Sequence, residues 1–410
     1  MRIGIFTETY TPYISGLVTS IVMLKGALEK KGHEVYVVTA NLKDFHYHYD
    51  EENRVLEIPG IPTGIYDSRL TSIYPLQAVN IIKKWHLDVI HSQTEFAIGT
   101  FARLFAKQYN IPIVHTYHTM YEDYVHYITK GYFNKSSKKL VEYLTKFYCD
   151  KTITELIVPT VKAYNLFKKK YNVERNVHIV PTGIEVDRFF KKNVPVKEVN
   201  ALRKEYHLNR KDFVLIFVGR VAEEKNIPFL IHVVDHLKKE IPTIKLFIIG
   251  DGPDKEKYQK LTQDMDCEEQ VIFTGKVPWD KIPAYYQLGN LFITASKTET
   301  QGLTVIEGMA ASLPVVCMDD VAFHTMVFED LNGKFFKDEE SCEKVILELY
   351  NNKELRENLA KQAVIQAEHC STEQYADNIL IVYKRAIENN KKKDRFGILS
   401  KIFRKLRGEK

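Results

Sequence analysis

Two glutamates stand eight positions apart in the stretch Glu299–Ala310, ETQGLTVIEGMA, with Gly302 between them. The strand-like segment NLFITAS precedes this stretch, and an apolar helical pattern begins directly after Gly302. At such a helix start the free N–H groups of Gly302, Leu303 and Thr304, together with the positive end of the helix dipole, favour a bound anion. Gly302 also lacks a side chain that would hold the anion away from the backbone. The pattern therefore predicts a phosphate site at this turn.

The two carboxylates of this stretch flank the predicted anion site. A carboxylate repels phosphate but accepts hydrogen bonds from hydroxyl groups. Glu299 before the site and Glu307 one turn inside the helix therefore suit a ligand with hydroxyls on both sides of its phosphates, as in a nucleotide sugar. Spacing alone supports equally well a solvated loop position for Glu299 and an ordinary helix position for Glu307.

A second loop, with two cations, follows another apolar strand pattern. The segment GRVAEEKN comes directly after FVLIFV and contains Arg220 and Lys225. A planar guanidinium and a compact ammonium suit a diphosphate whose negative charge grows as it leaves. Because Glu223 and Glu224 lie in the same loop, a local surface ion pair is the alternative for Lys225.

Alternating strand and helix patterns position these loops. In the first half, strands are predicted at RIGIFT, HEVYVVTA, DVIHSQT, IPIVHTYH and TITELIVPT, with helices at 16–31, 96–108 and 161–171. In the second half, strands are predicted at FVLIFVGR, IKLFIIGDGP, QVIFTGKVP, NLFITAS and LPVVCM. Short apolar strands alternating with helices indicate parallel sheets covered on both faces, with ligands at the carboxyl ends of the strands. The predicted fold class is therefore α/β, with two doubly wound Rossmann-like domains facing each other across a cleft.

The chain length of 410 residues exceeds what one core normally supports. We expect a first domain at residues 1–175 and a second at 176–370. Residues 371–390 are predicted to form a C-terminal helix that crosses back to the first domain, and residues 391–410 a basic tail.

The composition, 45% hydrophobic and 27% charged, is that of a globular protein. No apolar run reaches the ~18 residues of a membrane span. The N-terminus, MRIGIFTETY, has the pattern of a strand rather than of a signal peptide. The five cysteines lack CxxC spacing, which favours reduced thiols, so no metal site is predicted.

Positive charge is concentrated in the last twenty residues, which contain nine basic and two acidic side chains; the preceding 390 contain 49 basic and 51 acidic. Apolar residues recur there at spacings of three and four from Phe396 to Leu406. This pattern predicts a basic amphipathic helix that lies on an anionic lipid surface, with a frayed, solvated tail as the alternative. Nucleic acid is not predicted as a partner, because no binding motif accompanies the charge.

Taken together, these motifs resemble those of the retaining glycosyltransferases of family 4, which have the GT-B fold. The resemblance covers nearly the whole chain and rests on TETQGLTVIEGMA, GRVAEEKN, TETYTPYISGLVTSI and HTYHTMYEDY. It implies a hexosyltransferase that uses a UDP-sugar as donor substrate and has no bound cofactor. The second domain would bind the donor, and the first would face the acceptor.

The same resemblance implies roles for individual residues. Glu299 would meet the hydroxyls of the donor sugar, Glu307 the ribose, and His118 the transferred sugar near its reacting carbon. The other implied donor-binding residues are Gly16, Arg220, Lys225, Lys276, Val277, Gln301, Gly302, Leu303 and Thr304. The implied catalytic residues are His118, Glu299, Arg220 and Lys225. A core histidine bonded to backbone is the alternative for His118.

A narrower resemblance, carried by ETYTPYISGLVTSI and YHTMYEDYVHYI, is to the bacterial diacylglycerol glucosyltransferases. It implies transfer of a hexose to the free hydroxyl of 1,2-diacylglycerol, by a cytoplasmic protein peripheral to the inner face of the membrane. The basic and aromatic segments at 68–86 and 127–148, with the tail, would contact the lipid. For Leu76–Trp85, packing on the sheet is an equal alternative. No residue distinguishes glucose from galactose.

Three other functions remain open at this point. The chain could transfer a sugar to an existing glycolipid or to a cell-wall or capsule polymer, or it could be a nucleotide-sugar epimerase of the same fold. The third is a non-catalytic dinucleotide-binding or scaffold protein. No GxGxxG follows RIGIF, which counts against dinucleotide binding.

Overall fold

The computed structural model describes residues 1–13, 15–62, 69–118, 142–296, 299 and 301–406, with side chains through Lys392. The chain divides into two compact units, Met1–Gly183 with Thr372–Lys410 and Ile184–Ser371. Most of the predicted lipid-contact segment at 127–148, most of the motif HTYHTMYEDY and the side chains of the tail from residue 393 lie outside the described residues.

The described elements follow the alternating order expected from the sequence. The strands are β1 (Arg2–Phe6), β2 (Glu34–Ala40), β3 (His48–Asp50), β4 (Val55–Ile58), β5 (Gly60–Pro62), β6 (Arg69–Thr71), β7 (Val89–Ser92), β8 (Ile113–Thr116), β9 (Glu155–Val158), β10 (Val177–Ile179), β11 (Phe213–Val218), β12 (Ile244–Ile249), β13 (Val271–Gly275), β14 (Leu291–Thr294), β15 (Val315–Met318) and β16 (Gly333–Phe336). The helices are α1 (Gly16–Lys30), α2 (Leu76–Ile82), α3 (Ala97–Tyr109), α4 (Val161–Asn165), α5 (Val196–Glu205), α6 (Ile227–Leu237), α7 (Lys255–Asp264), α8 (Ile282–Tyr286), α9 (Leu303–Ala310), α10 (Glu339–Asn351), α11 (Lys353–Glu368) and α12 (Thr372–Leu406). Short 3₁₀ or π-helical turns lie at Lys83–Trp85, Phe147–Lys151, Leu166–Lys170, Val186–Phe189, Lys191–Asn193, Glu223–Lys225 and Phe323–Thr325.

The first unit contains an eight-stranded sheet with the strand order β10-β9-β8-β7-β1-β2-β4-β3. Its pairings are parallel except that of β3 with β4. One face packs against α3 through Phe6 and Phe101, and the other packs against α1 and α12 through Leu24 and Ile379. Strands covered on both faces must be apolar along their whole length, which explains why β1 alternates so little.

The second unit contains a six-stranded sheet with the order β13-β12-β11-β14-β15-β16, and all its pairings are parallel. Helices α6 and α10 cover one face with Leu230 and Ile346, while α9 covers the other with Ile306. The prediction of two doubly wound α/β domains with parallel sheets is therefore confirmed.

Each sheet reverses its strand order at one point. In the first sheet this point lies between β1 and β7, and in the second it lies between β11 and β14. Loops that leave two such neighbouring strands diverge to opposite faces and open a crevice, where ligands bind in open α/β sheets. The motif GRVAEEKN follows β11, and the motif TETQGLTVIEGMA follows β14 and continues into α9.

The boundary between the units differs from the predicted one at 175. Strand β10 pairs with β9 in the first sheet, so the first unit continues to Gly183. Helix α12 belongs to the first unit and runs without interruption to Leu406, so the predicted segments 371–390 and 391–410 are parts of one helix up to that residue. Among the described residues, no helix combines the length and hydropathy needed to cross a membrane.

Candidate functional site

The second unit brings Lys225 and Glu299 into direct contact. Lys225 lies in the 3₁₀ turn after β11, and its Nζ donates to Oε1 of Glu299 in the loop after β14. Both side chains are about one-fifth exposed, at 21% and 19%. Lys225 thus pairs across the switch point of the sheet rather than with its neighbours Glu223 or Glu224, which excludes the local ion pair considered above. Arg220 is exposed in the same loop.

The start of α9 has the backbone form that the sequence predicts for an anion site. Gly302 adopts a left-handed conformation with φ +80°, and a Cβ there would lie 2.9 Å from the ring of Phe323. Any other residue would therefore be strained. The first hydrogen bond of the helix runs from the N–H of Val305 to the carbonyl of Gly302 at 3.0 Å. The N–H groups of Leu303 and Thr304 precede it and are not used in hydrogen bonds within the helix. Gln301, next to this turn, is buried.

Glu307 is held by partners from other parts of the second unit. The hydroxyl of Tyr286 donates to Oε2 of Glu307 at 2.7 Å, and Tyr286 itself is fully buried. Burial raises the pKa of Glu307 to about 7, against the lowering effects of the Tyr286 hydrogen bond and of the positive charge of Arg188. This is not the environment of an ordinary solvated helix glutamate.

Sequence reasoning missed Tyr286 and Arg188, because neither lies in a motif. Arg188 donates from Nη2 to the carbonyl of Trp279 at 2.9 Å, and its guanidinium carbon lies 3.3 Å from the centre of the Trp279 ring. The loop after β13 also contains the predicted residues Lys276, which is exposed, and Val277, which packs against the core. Arg188 thus connects Glu307, on which its charge acts, with the loop after β13.

The segment GDGP after β12 was predicted only as the end of a strand. A Cβ at Gly250 would lie 1.9 Å from the carbonyl oxygen of Gly219, and Gly250 has φ +142°. Only glycine fits there, because the backbones of the loops after β11 and β12 touch. The tripeptide GDG between a strand and a helix was the available signal for this close approach.

In the first unit, His118 follows β8 and is half-buried. Its Nε2 lies 2.6 Å from Oε1 of Gln93, and burial together with the nearby His115 lowers its pKa to about 4. His118 is thus bonded to a side chain rather than to backbone, unlike the core histidine considered above. Gly16 opens α1 after Ser15, whose Oγ accepts from the N–H of Val18 at 3.2 Å.

Gly16 is exposed, and a Cβ there would meet no atom within 4 Å. The fold of the first unit therefore does not itself require glycine at this position. A requirement for glycine would have to come from a ligand that approaches this turn.

A buried cluster of Glu95, His115 and Cys149 has ligand-type atoms within 4.8 Å of one another. Nδ1 of His115 lies 2.9 Å from the carbonyl of Ser92, and Nε2 lies 3.0 Å from Glu95. Burial lowers the pKa of His115 and raises that of the Cys149 thiol well above its usual value. Both shifts favour the neutral forms of the His115 imidazole and the Cys149 thiol.

Comparison with known proteins identifies the class. The chain superimposes on the crystal structure of Anabaena HepE in complex with UDP with a TM-score of 0.73, at 15% identity, over 94% of this chain and 100% of that one. Residues 14–188 match the model of Glycosyltransferase Family 4, and residues 198–365 match that of Glycosyl transferases group 1. The fold is that of the GT-B glycosyltransferases.

Two curated relatives are similar over almost the whole chain. An alpha-monoglucosyldiacylglycerol synthase of Acholeplasma laidlawii is 37% identical over 96% of this chain and 99% of its own length. Another of Streptococcus pneumoniae is 32% identical over 96% of this chain and 88% of its own length. The chain belongs to the family 4 glycosyltransferases, in the group that includes these synthases, and is a hexosyltransferase.

Proposed function

We propose that the protein transfers glucose from UDP-glucose to the free hydroxyl of 1,2-diacylglycerol and forms an α-linked monoglucosyldiacylglycerol. The observation that carries this proposal is the 37% identity, over 99% of its length, to a relative named for that product. The site is compatible with such a donor, because the loops at the switch point of the second sheet supply both a cation and carboxylates.

The donor would be held along the loops of the second unit. The amides of Leu303 and Thr304 and the cations Arg220 and Lys225 would bind the diphosphate. Glu299 would accept from hydroxyls of the glucose and Glu307 from those of the ribose. Gln301 and Gly302 would line the turn, while Lys276 and Val277 would pack on the base.

Transfer with retention is the proposed mechanism. The bond from C1 of glucose to the diphosphate oxygen breaks, and the new bond to the acceptor oxygen forms on the same face. The proton of the acceptor hydroxyl passes to the departing diphosphate. Catalysis then depends on stabilising the charge of that leaving group and on holding the two substrates together, which are tasks for Lys225 and Arg220.

The first unit would contribute Gly16 and His118 to the donor. The open space beside Gly16 would admit the donor close to the start of α1. His118, with a pKa of about 4, is neutral at physiological pH and would bond a sugar hydroxyl.

We propose that the first unit also rests on an anionic membrane surface from the cytoplasmic side. Ile61 and Leu70 face each other across the β5–β6 pair and are 68% and 60% exposed. Ile73 and Leu76 follow them and are 55% and 70% exposed. Basic residues accompany this apolar surface at Arg69, Lys83 and Lys84. Apolar side chains bordered by cations suit a lipid interface.

For Leu76–Trp85, packing on the sheet and contact with lipid each account for part of the side chains. Ala78, Val79, Ile82 and Trp85 are buried on the sheet, so most of the apolar face is structural. Only Leu76 and the two lysines of Lys83–Trp85 remain for a lipid surface. The contribution of this helix to membrane binding would therefore be small beside that of the β5–β6 pair.

The assay that tests the function is incubation of the full chain with labelled UDP-glucose or UDP-galactose and diacylglycerol in mixed micelles. We expect glucosyl-diacylglycerol as the product. Glucosylation of added glycolipid or polymer instead of diacylglycerol would favour the second acceptor class, and conversion of the donor without any acceptor would identify an epimerase.

Removing residues 391–410 should weaken binding to vesicles that contain anionic lipid at least tenfold at low salt. The tail has a net charge of +7, and each basic residue near an anionic surface contributes about 1 kcal/mol. Co-sedimentation at rising salt measures the effect, with neutral vesicles for comparison. Replacing the exposed Lys344 and Lys353 by alanine is the control for lost charge elsewhere. Unchanged sedimentation of the truncated chain would contradict the proposed role of the tail.

A further inference from the structure

A chain of hydrogen bonds connects His118 to helix α12. Oε1 of Gln93 lies 2.6 Å from Nε2 of His118, and Nε2 of Gln93 lies 3.1 Å from Nδ1 of His91. The same Nδ1 lies 2.7 Å from the hydroxyl of Tyr383, on α12, and Nε2 of His91 lies 2.7 Å from Oγ1 of Thr116. Gln93 is thus the link between His118 and the interior of the first unit.

With the amide of Gln93 in this orientation, only one nitrogen of each ring can carry a proton. An amide oxygen can only accept, so Nε2 of His118 must donate to it, and Nδ1 of His118 keeps its lone pair. The amide nitrogen can only donate, so Nδ1 of His91 accepts from it and Nε2 of His91 donates to Thr116. Among the described residues, Nδ1 of His118 has no hydrogen-bond partner.

The link is buried and closely packed. Gln93 and Thr116 are 2% exposed, while His91 and Tyr383 are fully buried. The ring of Tyr383 also packs edge-on against that of His91, with centroids 5.4 Å apart. A buried amide with both ends bonded cannot rotate without breaking two hydrogen bonds and moving the ring proton of both histidines, so the orientation of Gln93 and the two tautomers are coupled.

We infer that Gln93 is a positioning residue that fixes the tautomer of His118, so that Nδ1 is an obligatory acceptor for a hydroxyl of the bound sugar. This inference depends on the proposed function, which gives His118 its contact with the donor. A histidine fixed in this way selects a hydroxyl as its partner, because it presents a lone pair rather than an N–H group.

Several titratable groups surround this histidine in the described part of the first unit. His91 lies on β7 and His115 on β8; burial and the nearby His115 lower the pKa of His118, and burial with His118 and His115 lowers that of His91. Glu95, in the loop after β7, acts in the opposite direction on His118. Arg103 on α3 faces His115 and Glu95. Tyr383 on α12 stays neutral, because burial raises its pKa well above the usual value.

The test is the variant Gln93→Glu in the full chain. A carboxylate next to Nε2 favours the imidazolium, so the pKa of His118 should move from about 4 toward neutrality. The ¹⁵N shifts of His118 in histidine-labelled protein, assigned with His118→Ala, measure this directly. In the wild-type protein they should remain those of a neutral ring with a bare Nδ1 between pH 5.5 and 8.5. In the variant the ring should titrate in that range, and kcat should fall at least tenfold below the new midpoint.

Two further variants complete the test. Gln263→Glu, at an exposed position on α7, makes the same exchange away from the site and should leave both readouts unchanged. If Gln93→Glu does not fold, Gln93→Met replaces it in the test. Methionine keeps the volume and removes the amide, so His118 should sample both tautomers. An unchanged His118 signal in both Gln93 variants would overturn the inference. The NMR result does not depend on turnover, so a failure of the proposed transfer reaction would be seen separately in the wild-type assay.

Discussion

Replacing Lys225 by alanine is expected to lower kcat for sugar transfer about 100- to 1000-fold while the fold remains intact. Removing one preorganised group that stabilises transition-state charge typically costs ~3–4 kcal/mol. Here the loss is aggravated, because Lys225 is bonded to Glu299 and its removal leaves that carboxylate uncompensated beside the departing diphosphate. Neither side chain is part of the hydrophobic core of the second unit, so thermal unfolding should change little.

The pair also predicts how the two substitutions combine. Glu299→Ala alone should be similarly damaging, because it removes the proposed acceptor for the glucose hydroxyls. The double variant should lose much less than the product of the two single losses, since groups that act as a unit are not additive. Lys344→Ala is the matched control, because Lys344 forms an exposed ion pair with Glu340 in the same unit. Near-normal turnover of Lys225→Ala or Glu299→Ala would contradict the site assignment.

The apolar strands were predictable because burial on both faces leaves a continuous hydrophobic run. The segments FVLIFVGR, IKLFIIGDGP and LPVVCM each contain the observed strand, with ends that differ by a few residues. The helix predicted at 16–31 is observed at Gly16–Lys30, and Gly32 after it has φ +81°. Local rules for burial and helix ends were sufficient for these elements.

Edge strands and the unit boundary were not predictable in the same way. Strands β3 and β10 have three residues each and are partly exposed, so no hydrophobic run marks them. Strand β10 extends the first sheet beyond the predicted boundary because it pairs with β9, and no local pattern indicates such a pairing.

The two cation and carboxylate motifs were predictable as loops after strands, but their contact was not. Lys225 and Glu299 meet because β11 and β14 are neighbours in the second sheet, although the two residues are 74 positions apart in the sequence. Tyr286 and Gln93 were missed for the same reason. Each acts through a partner that only the tertiary structure brings within hydrogen-bond distance.

Glu307 leads to the second large effect, a donor affinity that depends on pH. Its pKa is raised to about 7 by burial. Only the ionised carboxylate accepts from both ribose hydroxyls, so the Kd for UDP should rise as the pH falls from 8 to 6. Glu307→Gln should weaken UDP binding about 10- to 100-fold at pH 8, since hydrogen bonds to a charged group contribute ~1.5–3 kcal/mol. The variant should also lose the pH dependence. Calorimetric titration with UDP at several pH values measures both effects.

The same variant, although it binds UDP more weakly, should be more stable than the wild type above pH 7. A carboxyl whose pKa is raised on folding adds stability that is fully present below its unfolded pKa of 4.5 and is lost as the pH rises through about 7. Above pH 7 the ionised Glu307 therefore costs roughly 3 kcal/mol relative to acid conditions, a cost that glutamine does not have. Glu8 has a pKa of about 7 as well, so its contribution to the pH dependence remains in Glu307→Gln. Tyr286→Phe is the control, because it removes a hydrogen bond that lowers the pKa of Glu307. In that variant the pH midpoint of the change in UDP affinity should move upward, and the pH dependence should remain. If Glu307→Gln binds UDP as the wild type does at every pH, the carboxylate does not hold the ribose.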